Sequence, residues 1–506
     1  MHSMRPMMAA LLTVSALMGA LTVAGSGAAR ADASRLVVDI GNEPSSLDPQ
    51  VQWNPDSYYV YRNIFDNLLT RDDQGKIVPE VATAWKYISD TEIEFTLRDD
   101  ISFHDGSKLV PDDVVFSIKR IVDPKFASPQ QGQFNKIVEA TVTGPSTIRL
   151  KTSVPYPALL AQLVKLSIVP RHVVEAVGKD AFNLKPVGSG PYVFESWQRG
   201  VTVTLKRNEA YWGRKGVFPA AVFRPVPDAG TRVADVQAGA ADLAVAFDSD
   251  LAAQLKNSPR AKIVSVLTER IVYLRLNPAK PPFDDLRIRQ AVAYAIDTQG
   301  IVDGILGGYD KPVIEFLTPA HQGFVPDVKP VPFDLAKAKA LVAEAGPAGQ
   351  LGIEFLVAPT FDQRVVQAIQ QMLTDAGLKV NIDMRDMVTY MQQSQAVPDA
   401  SPRMNFSRWS CACQDADGVL FPVLHSSSSW SVYRNPVVDK LLDDARGTLD
   451  DQRRLDDYRK VDQIVVDDVP LVPLYQGAAL YGVAKPLQWT PTPNESMFLN
   501  RMDWKN

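Results

Sequence analysis

Hydrophobic residues follow two different periods along the chain, and each period predicts a different kind of element. In residues 92–98 apolar and polar side chains alternate, which predicts a half-buried strand with Ile93 on its inner face. Residues 201–206 alternate in the same way, and Val201 is expected to point inward. These short alternating segments indicate that sheets form part of the core.

Other segments repeat their apolar residues at the helical spacing. Residues 334–346 predict an amphipathic helix that begins at the N-cap Asp334 and ends at a glycine. Residues 362–376 predict a second helix, and a strand over residues 378–382 follows it. Together with the apolar segment before the helix, this region predicts a βαβ unit over residues 353–382.

Two more amphipathic helices are predicted near the end of the chain. They cover residues 435–446 and 450–468, and Pro470 ends the second. The sequence has no internal repeat, heptad array or low-complexity tract. Strands and helices therefore occur together along the chain, and the predicted fold class is α/β.

Length and charge narrow the possible classes of protein. The chain has 506 residues, with 53 Lys and Arg against 58 Asp and Glu, and its net charge is −5. Such a chain is too long for one compact core, so two or three domains are expected. Phosphate neutralisation needs clustered basic residues, and the sequence has no basic block, so no nucleic-acid partner is predicted.

Residues 1–31 have the pattern of a secretory signal peptide. Arg5 provides the positive start, a mostly apolar stretch follows, and residues 29–31 form a small-x-small cleavage site. The apolar stretch is short for a membrane span, which favours cleavage after Ala31 over an uncleaved anchor. The first cysteine is Cys411, so a lipoprotein anchor is not expected and the predicted location is the periplasm.

The only two cysteines are Cys411 and Cys413. Two ligands do not complete a tetrahedral zinc site, and a disulfide across a single intervening residue is unusual. Free thiols, a disulfide and a metal role therefore all stay open at this stage. We predict no bound metal and no cofactor.

Catalytic signatures are missing from the sequence. It contains no nucleophile elbow, phosphate-binding glycine loop, paired-histidine zinc helix or dinucleotide fingerprint. The tempting pair is His104 and Asp105, which could act as a general base and its carboxylate. Gly106 follows them, and an Asp-Gly pair between a strand and a helix is more typical of a tight turn. We therefore predict no catalytic residues.

Blocks of sequence spread over almost the whole chain resemble one family in the right order. The most specific is FTLRDDISFHDGSKLVPDDVVFSIKR, over residues 95–120. With this block, the chain resembles the peptide/nickel class of periplasmic solute-binding proteins of ABC transporters, family 5, which includes dipeptide and oligopeptide binders. The other matching blocks are residues 36–50, 63–70, 77–86, 186–192, 207–212, 237–243, 282–297 and 435–442.

The resemblance implies a two-lobe fold with a hinge and a third, inserted domain. Domain I is then discontinuous and, with domain II inserted in it, forms the first lobe; domain III is the second lobe. The lobe crossings are expected near Leu276 and Leu474. The implied bounds are residues 32–66, 187–275 and 475–506 for domain I, 67–186 for domain II and 276–474 for domain III.

The resemblance also implies the function of a receptor. Such a protein captures a small peptide-like solute between its lobes and delivers it to a membrane permease, whose partner ATPase subunits supply the energy. The chain is expected to be a monomer and to perform no chemistry. A non-peptide cargo, such as an opine or a nickel or other metal chelate, is the alternative, and an exported hydrolase is a remote one.

The cargo is less clear because two expected anchors are missing. Where peptide binders of the family carry an Asp for the peptide ammonium, this sequence has Ala412, and residues 352–361 contain no Arg for a dipeptide carboxylate. An unmodified dipeptide is therefore disfavoured. The candidate ligand-binding residues are Trp53, Asp56, Ser57 and Tyr58 from the first lobe, and Trp409, Asp415 and Arg434 from the second.

Overall fold

A computed structural model describes residues 34–51, 54–326, 328–329, 331–411 and 413–505. The predicted signal peptide, Trp53 and Ala412 lie outside these described residues.

Nineteen strands are present in the described part of the chain. They are β1 (Arg35–Ile40), β2 (Leu69–Arg71), β3 (Ile77–Pro79), β4 (Ala82–Ser89), β5 (Glu92–Leu97), β6 (Ile137–Gly144), β7 (Thr147–Thr152), β8 (Tyr192–Gln198), β9 (Thr202–Arg207), β10 (Ala220–Pro225), β11 (Leu243–Ala244), β12 (Ala261–Leu276), β13 (Lys311–Pro312), β14 (Gly352–Val357), β15 (Lys379–Met384), β16 (Met404–Trp409), β17 (Leu471–Ala484), β18 (Leu487–Gln488) and β19 (Asp503–Trp504).

Fifteen α-helices accompany them in the same described ranges. They are α1 (Pro55–Tyr61), α2 (Pro111–Val122), α3 (Gln131–Phe134), α4 (Leu159–Leu163), α5 (Arg171–Leu184), α6 (Ala229–Ala238), α7 (Ser249–Leu255), α8 (Leu286–Ala295), α9 (Thr298–Gly304), α10 (Leu335–Glu344), α11 (Gln363–Asp375), α12 (Met387–Ser394), α13 (Asp417–Leu424), α14 (Pro436–Arg446) and α15 (Asp451–Asp468).

The predicted helices near the middle and end of the chain are confirmed. Asp334 caps α10 by accepting the backbone N–H of Lys337 at 2.9 Å, and Asp450 caps α15 in the same manner. The parallel pairing of β14 with β15, joined through α11, confirms the βαβ unit. None of the helices within the described ranges is long and apolar enough to cross a membrane.

One strand prediction needs a correction. The alternation over residues 201–206 does form β9, but Val201 lies just before the strand and is 49% exposed. Gly200 adopts φ 71° in the preceding turn, and this left-handed turn leaves Val201 at the surface. Ile93, in contrast, is buried in β5 as the alternation predicts.

A single large sheet runs through both halves of the molecule. Its strand order is β15-β14-β16-β12-β17-β11-β1-β10-β9-β8, with β13 added on β17. The two long antiparallel strands β12 and β17 are its spine, since each pairs with neighbours in both halves. A second sheet, β4-β5-β7-β6, stands apart from the spine.

The pairing of β12 with β17 is irregular at its centre. Leu267 pairs with Ala478 and Ile271 pairs with Gln476, so three residues of β12 oppose Gly477 alone. Separate apolar cores lie in the two halves of the large sheet and beneath the four-stranded sheet. The domain bounds and the lobe crossings near Leu276 and Leu474 stay predictions. Residues 268–270 interrupt the pairing of the two strands that join the halves, and we call them the hinge bulge.

Candidate functional site

A cavity of about 290 Å³ lies between the two lobes, and we call it the cleft cavity. Tyr156, Gln162 and Lys165 line it from the inserted domain, and Trp409 and Asp417 line it from the second lobe. Because its walls come from both lobes, a molecule held there would contact both at once. This is the geometry that couples ligand binding to lobe closure.

On the second-lobe side, the end of β16 and a tight disulfide loop form the wall. Trp409 is half-buried, and its indole N–H donates to the carbonyl of Gly418 at 2.9 Å. Cys411 and Cys413 form a disulfide, which decides between the alternatives that the sequence left open. A Cβ on Gly418 would lie 2.5 Å from both sulfur atoms, so only glycine allows this close approach.

The acids of this wall are neutralised inside the second lobe. Asp415 is fully buried and accepts a hydrogen bond from Arg454 Nη2 at 2.9 Å. Asp417 accepts two hydrogen bonds from Arg446, at 2.7 and 3.1 Å. Both carboxylates are therefore committed to the scaffold rather than turned toward a cargo.

At the hinge bulge, one acid has no such partner. Glu269 is 4% exposed, and its Oε2 has no hydrogen-bond partner among the described residues. Its neighbour Arg270 is paired with Glu495 instead, at 2.6 Å. Burial, reinforced by the Glu495 charge, raises the pKa of Glu269 to about 7.

A lysine on the cavity wall complements this acid electrostatically. Burial lowers the pKa of Lys165 to about 7, although Glu269 attracts its charge, and Lys165 Nζ donates to Gln133 Oε1. Near neutral pH a small change in surroundings can therefore ionise or neutralise either group. An added charge in the cleft would shift both titrations.

Direct contacts between the lobes occur beside this cluster. The guanidinium of Arg71, at the end of β2, donates to the carbonyl of Cys413 in the second lobe. The side-chain amide of Gln414 is buried without a hydrogen-bond partner in the described structure, and it lines a crevice together with Tyr58 and Arg71. The lobes are therefore in contact along one margin of the cleft.

A second-lobe hollow of about 230 Å³ adjoins Trp409, and Arg408 lies at its edge. Tyr390, Asn405 and Ser407 give it hydroxyl and amide groups. Burial and the neighbouring Arg270 lower the pKa of Arg408. Arg270 is paired with Glu495, so Arg408 is the guanidinium of this hollow that could meet an anion.

The first-lobe residues predicted to bind ligand differ in whether they reach the space between the lobes. Asp56 accepts from the backbone N–H of Gly41 at 3.1 Å, and the fully buried Ser57 Oγ accepts from that of Ser45 at 3.0 Å. Tyr58 is the one that reaches the interlobe crevice, with its hydroxyl 3.0 Å from Ser496 Oγ. The contacts of Asp56 and Ser57 hold their own loop, and their predicted ligand roles stay untested.

The second-lobe candidates differ among themselves in the same way. Trp409 lines the cleft cavity, whereas both carboxylate oxygens of Asp415 accept hydrogen bonds from Arg454 in an ion pair. Arg434 is exposed and donates to the carbonyls of Ser431 and Tyr433 at 3.0 and 2.7 Å. Of these three residues, Trp409 is the one on the wall of the cleft cavity, and the predicted ligand roles of all three stay untested.

Sequence reasoning missed Glu269, Lys165 and Arg71. A signal for the first was present: residues 268–270 place three consecutive polar residues, Thr, Glu and Arg, in the middle of a strand rich in apolar residues. Such an interruption is typical of a functional or bulged position. The turn predicted at residues 104–106 is confirmed, with Gly106 at φ 90° and His104 Nε2 3.0 Å from the Gly190 carbonyl oxygen.

Comparisons with known proteins agree on the kind of molecule. A family model described as "Bacterial extracellular solute-binding proteins, family 5 Middle" matches residues 76–431. The glutathione-binding protein GsiB of Salmonella typhimurium is 28% identical over 460 residues, which cover 87% of this chain and 89% of GsiB.

Solved structures have the same fold. The substrate-binding protein CtaP of Listeria monocytogenes superposes with a TM-score of 0.86 at 23% identity, over 93% of this chain and 99% of CtaP. AgaA of A. tumefaciens R10, solved in complex with agropinic acid, superposes with a TM-score of 0.74 at 26% identity, over 93% of this chain and 99% of AgaA. The two-lobe periplasmic binding protein fold follows from these superpositions.

Proposed function

Because the chain belongs to the bacterial extracellular solute-binding proteins of family 5, we propose that it is an ABC-importer receptor for a peptide-like solute that carries an amino group. The observation that carries the proposal is the buried carboxyl of Glu269, whose Oε2 has no hydrogen-bond partner among the described residues and whose charge acts on Lys165 in the wall of the cleft cavity. A buried carboxyl oxygen without a hydrogen bond is unfavourable, and a cargo ammonium would donate one to Glu269 in addition to the attraction of Lys165.

The opposite charge of such a cargo also has candidates for its recognition. Arg408 and Lys165 offer cationic groups around the cleft for a carboxylate. Trp409 provides an aromatic face against the body of the cargo. This set suits a zwitterionic solute, which is the common chemistry of glutathione, short peptides and opines.

Glu269 changes how the missing ammonium anchor at Ala412 is interpreted. In the peptide binders of the family, the Asp that holds the peptide ammonium lies in the second lobe. An anchor at the hinge would lie in another place, so a peptide with a displaced amine fits better than an unmodified dipeptide. The relative GsiB is named for glutathione, whose amino group lies on a side branch of its γ-linked chain, and the same class of cargo is our first candidate here.

Capture follows from the two-lobe geometry. Ligand contacts made to both lobes at once stabilise the closed form over the open one. Closure excludes water, which strengthens each charged contact within the cleft. The closed receptor then docks on the membrane permease, and the ATPase subunits of the importer drive transport.

The location of the receptor rests on the predicted signal peptide. We expect export with cleavage after Ala31, so that the mature chain begins at Asp32. N-terminal sequencing of the protein from a periplasmic extract tests this. Recovery of Met1 on membrane-bound protein would contradict it.

Native mass spectrometry of the protein as purified tests the function itself. A closed cleft is expected to retain cargo, and the mass difference after denaturation identifies a small zwitterion. Small-angle scattering before and after removal of that cargo should show a smaller radius of gyration with cargo bound. An unchanged radius at saturating cargo, or turnover of peptides, esters or phosphates by the pure protein, would overturn the proposal.

A further inference from the structure

A separate cavity of about 250 Å³ lies wholly inside the second lobe. Its walls come from the segments around α9, β13, α13, α15 and the start of β17, and none of them belongs to the first lobe. Most of the lining is aliphatic or aromatic. The apolar wall residues include Ile296, Phe316, Leu420, Leu424, Val465 and Leu471.

Two carboxyl groups line this apolar cavity. Glu315 is 7% exposed and Asp462 is 4% exposed. Glu315 Oε2 and Asp462 Oδ2 have no hydrogen-bond partner among the described residues. A buried carboxyl without a partner costs stability, so a binding role accounts for the two acids better than packing does.

The position of Asp462 is unusual for its helix. It lies on the inner face of α15 next to Val461 and in line with Val465, where an aliphatic residue would pack without cost. Arg454 on the same face is already paired with Asp415. The helix therefore brings an acid to the cavity and leaves it without a cation.

Three of the four charged residues that line this cavity are acids. Burial raises the pKa of Asp462 to about 7, and burial together with the Asp462 charge raises that of Glu315 to about 8. The other charged groups on the walls are Asp297, which caps α9 by accepting the N–H of Gly300 at 2.9 Å, and the exposed Lys329. A ligand with a positive charge would complement this cavity.

An apolar entrance leads to these acids. Ile314, Val331 and Phe333 all line the cavity, and they are 39%, 38% and 51% exposed. Large apolar side chains at the surface beside a cavity mark a place where an apolar molecule can enter. An apolar entrance above buried carboxyl groups fits an amphiphilic molecule whose polar end points toward the carboxyls and whose apolar part lies at the entrance.

We propose that this cavity is a second ligand site, which binds a small apolar molecule through one protonated amine held by Glu315 and Asp462. The ammonium donates to the two free carboxyl oxygens, and the apolar body packs against α13 and α15. The site is independent of the cleft, so it stands whether or not the proposed cargo is correct.

Calorimetric titration of the full mature chain with matched probes tests the site. The probes are 2-phenylethylammonium and its neutral counterpart 2-phenylethanol, at pH 7. The variants are the isosteric double change Glu315→Gln with Asp462→Asn, and Val465→Phe, which fills the cavity. Glu269→Gln serves as the control, because it changes the cleft and leaves this cavity intact.

We expect the wild-type protein to bind the amine at least about tenfold more tightly than the alcohol, since only the amine forms charge-assisted bonds. The double variant should lose this preference, Val465→Phe should weaken both probes, and Glu269→Gln should bind like the wild type. If Val465→Phe fails to fold by circular dichroism, the double variant alone decides. Equal binding of the two probes to the wild type, no saturable binding, or loss of amine binding in Glu269→Gln alone would overturn the proposal.

Discussion

Two buried carboxylates, Asp415 in the second lobe and Glu269 at the hinge, differ in what neutralises them. Asp415 lies 2.9 Å from the guanidinium of Arg454, and that arginine is itself 2% exposed. Glu269 is almost as deeply buried, yet its nearest arginine in sequence is paired with Glu495. Asp415 is held by hydrogen bonds within the lobe, whereas Glu269 keeps one oxygen without a hydrogen-bond partner among the described residues.

The difference shows that an acid near a family motif can be neutralised within the fold, and the predicted ligand role of Asp415 stays untested. Asp415 follows Trp409 in the block where peptide binders of the family hold their ammonium anchor, and it therefore seemed a good candidate. Its oxygens are already used inside the lobe. The comparison predicts that changes at Asp415 act on stability and that changes at Glu269 act on binding.

The largest expected effect comes from breaking the scaffold pair. Asp415→Asn leaves Arg454 buried without its anion, so the free energy of unfolding should fall by about 3–5 kcal/mol. The matched control is Asp456→Asn, which breaks the exposed pair with Arg459 at 2.8 Å and should cost less than about 1 kcal/mol. Urea denaturation of both variants measures the difference. Equal losses of unfolding free energy in the two variants would show that the buried Asp415–Arg454 pair contributes no more than the exposed Asp456–Arg459 pair.

The next effect has the opposite sign and depends on pH. In the cargo-free protein the raised pKa of Glu269 gives stability that is present below its unfolded value near 4.5 and is lost as the pH rises through about 7. Glutamine does not ionise, so Glu269→Gln removes this loss of stability at high pH. The variant should match the wild type at pH 4, where the group is mostly protonated in both states, and should be more stable at pH 8 by up to about 3 kcal/mol.

Urea denaturation at the two pH values checks this expectation. Glu209→Gln, at an exposed carboxylate paired with Arg207, is the control and should leave the pH profile unchanged. A Glu269→Gln protein that is less stable than the wild type at pH 8 would show that the carboxylate has a partner in the fold.

A smaller effect is expected at the cationic corner of the cleft. Arg408→Met should weaken a carboxylate-bearing cargo by about tenfold, because one charge-assisted contact is lost. Arg434→Met should leave its affinity unchanged, since Arg434 already donates to two carbonyls of its own loop. Calorimetric titration with the retained cargo compares them. A larger loss at Arg434 would restore the sequence-based candidate.

Local periodicity and capping residues were enough to predict four of the helices and a few of the strands. Asp334 and Asp450 cap helices because their carboxylates satisfy free N–H groups within the same turn, and this depends on neighbouring residues only. The prediction that Val201 points inward was wrong, because alternation of apolar and polar residues does not show where a strand begins after a turn. Family blocks predicted the fold because they extend over almost the whole chain.

The site was predicted less well because its residues meet from distant parts of the chain. Lys165 and Glu269 interact although about a hundred residues separate them, and no local pattern pairs them. The partner of Asp415 is Arg454 on another helix, so its neutralisation was invisible in the sequence. Ion pairing is a tertiary property, and it decides which of several acids is free to bind.

The most direct test of Glu269 as the group that recognises the cargo amine is a double-mutant-type cycle, in which the amine is removed from the ligand and the carboxylate from the protein. Wild-type and Glu269→Gln proteins, stripped of cargo, are titrated by calorimetry with the retained cargo and with its analogue that lacks the amine. We predict that the wild type loses at least about tenfold in affinity when the amine is removed, and that Glu269→Gln shows no such difference. An equal amine preference in both proteins would contradict the claim that the unpaired hinge carboxylate recognises the cargo.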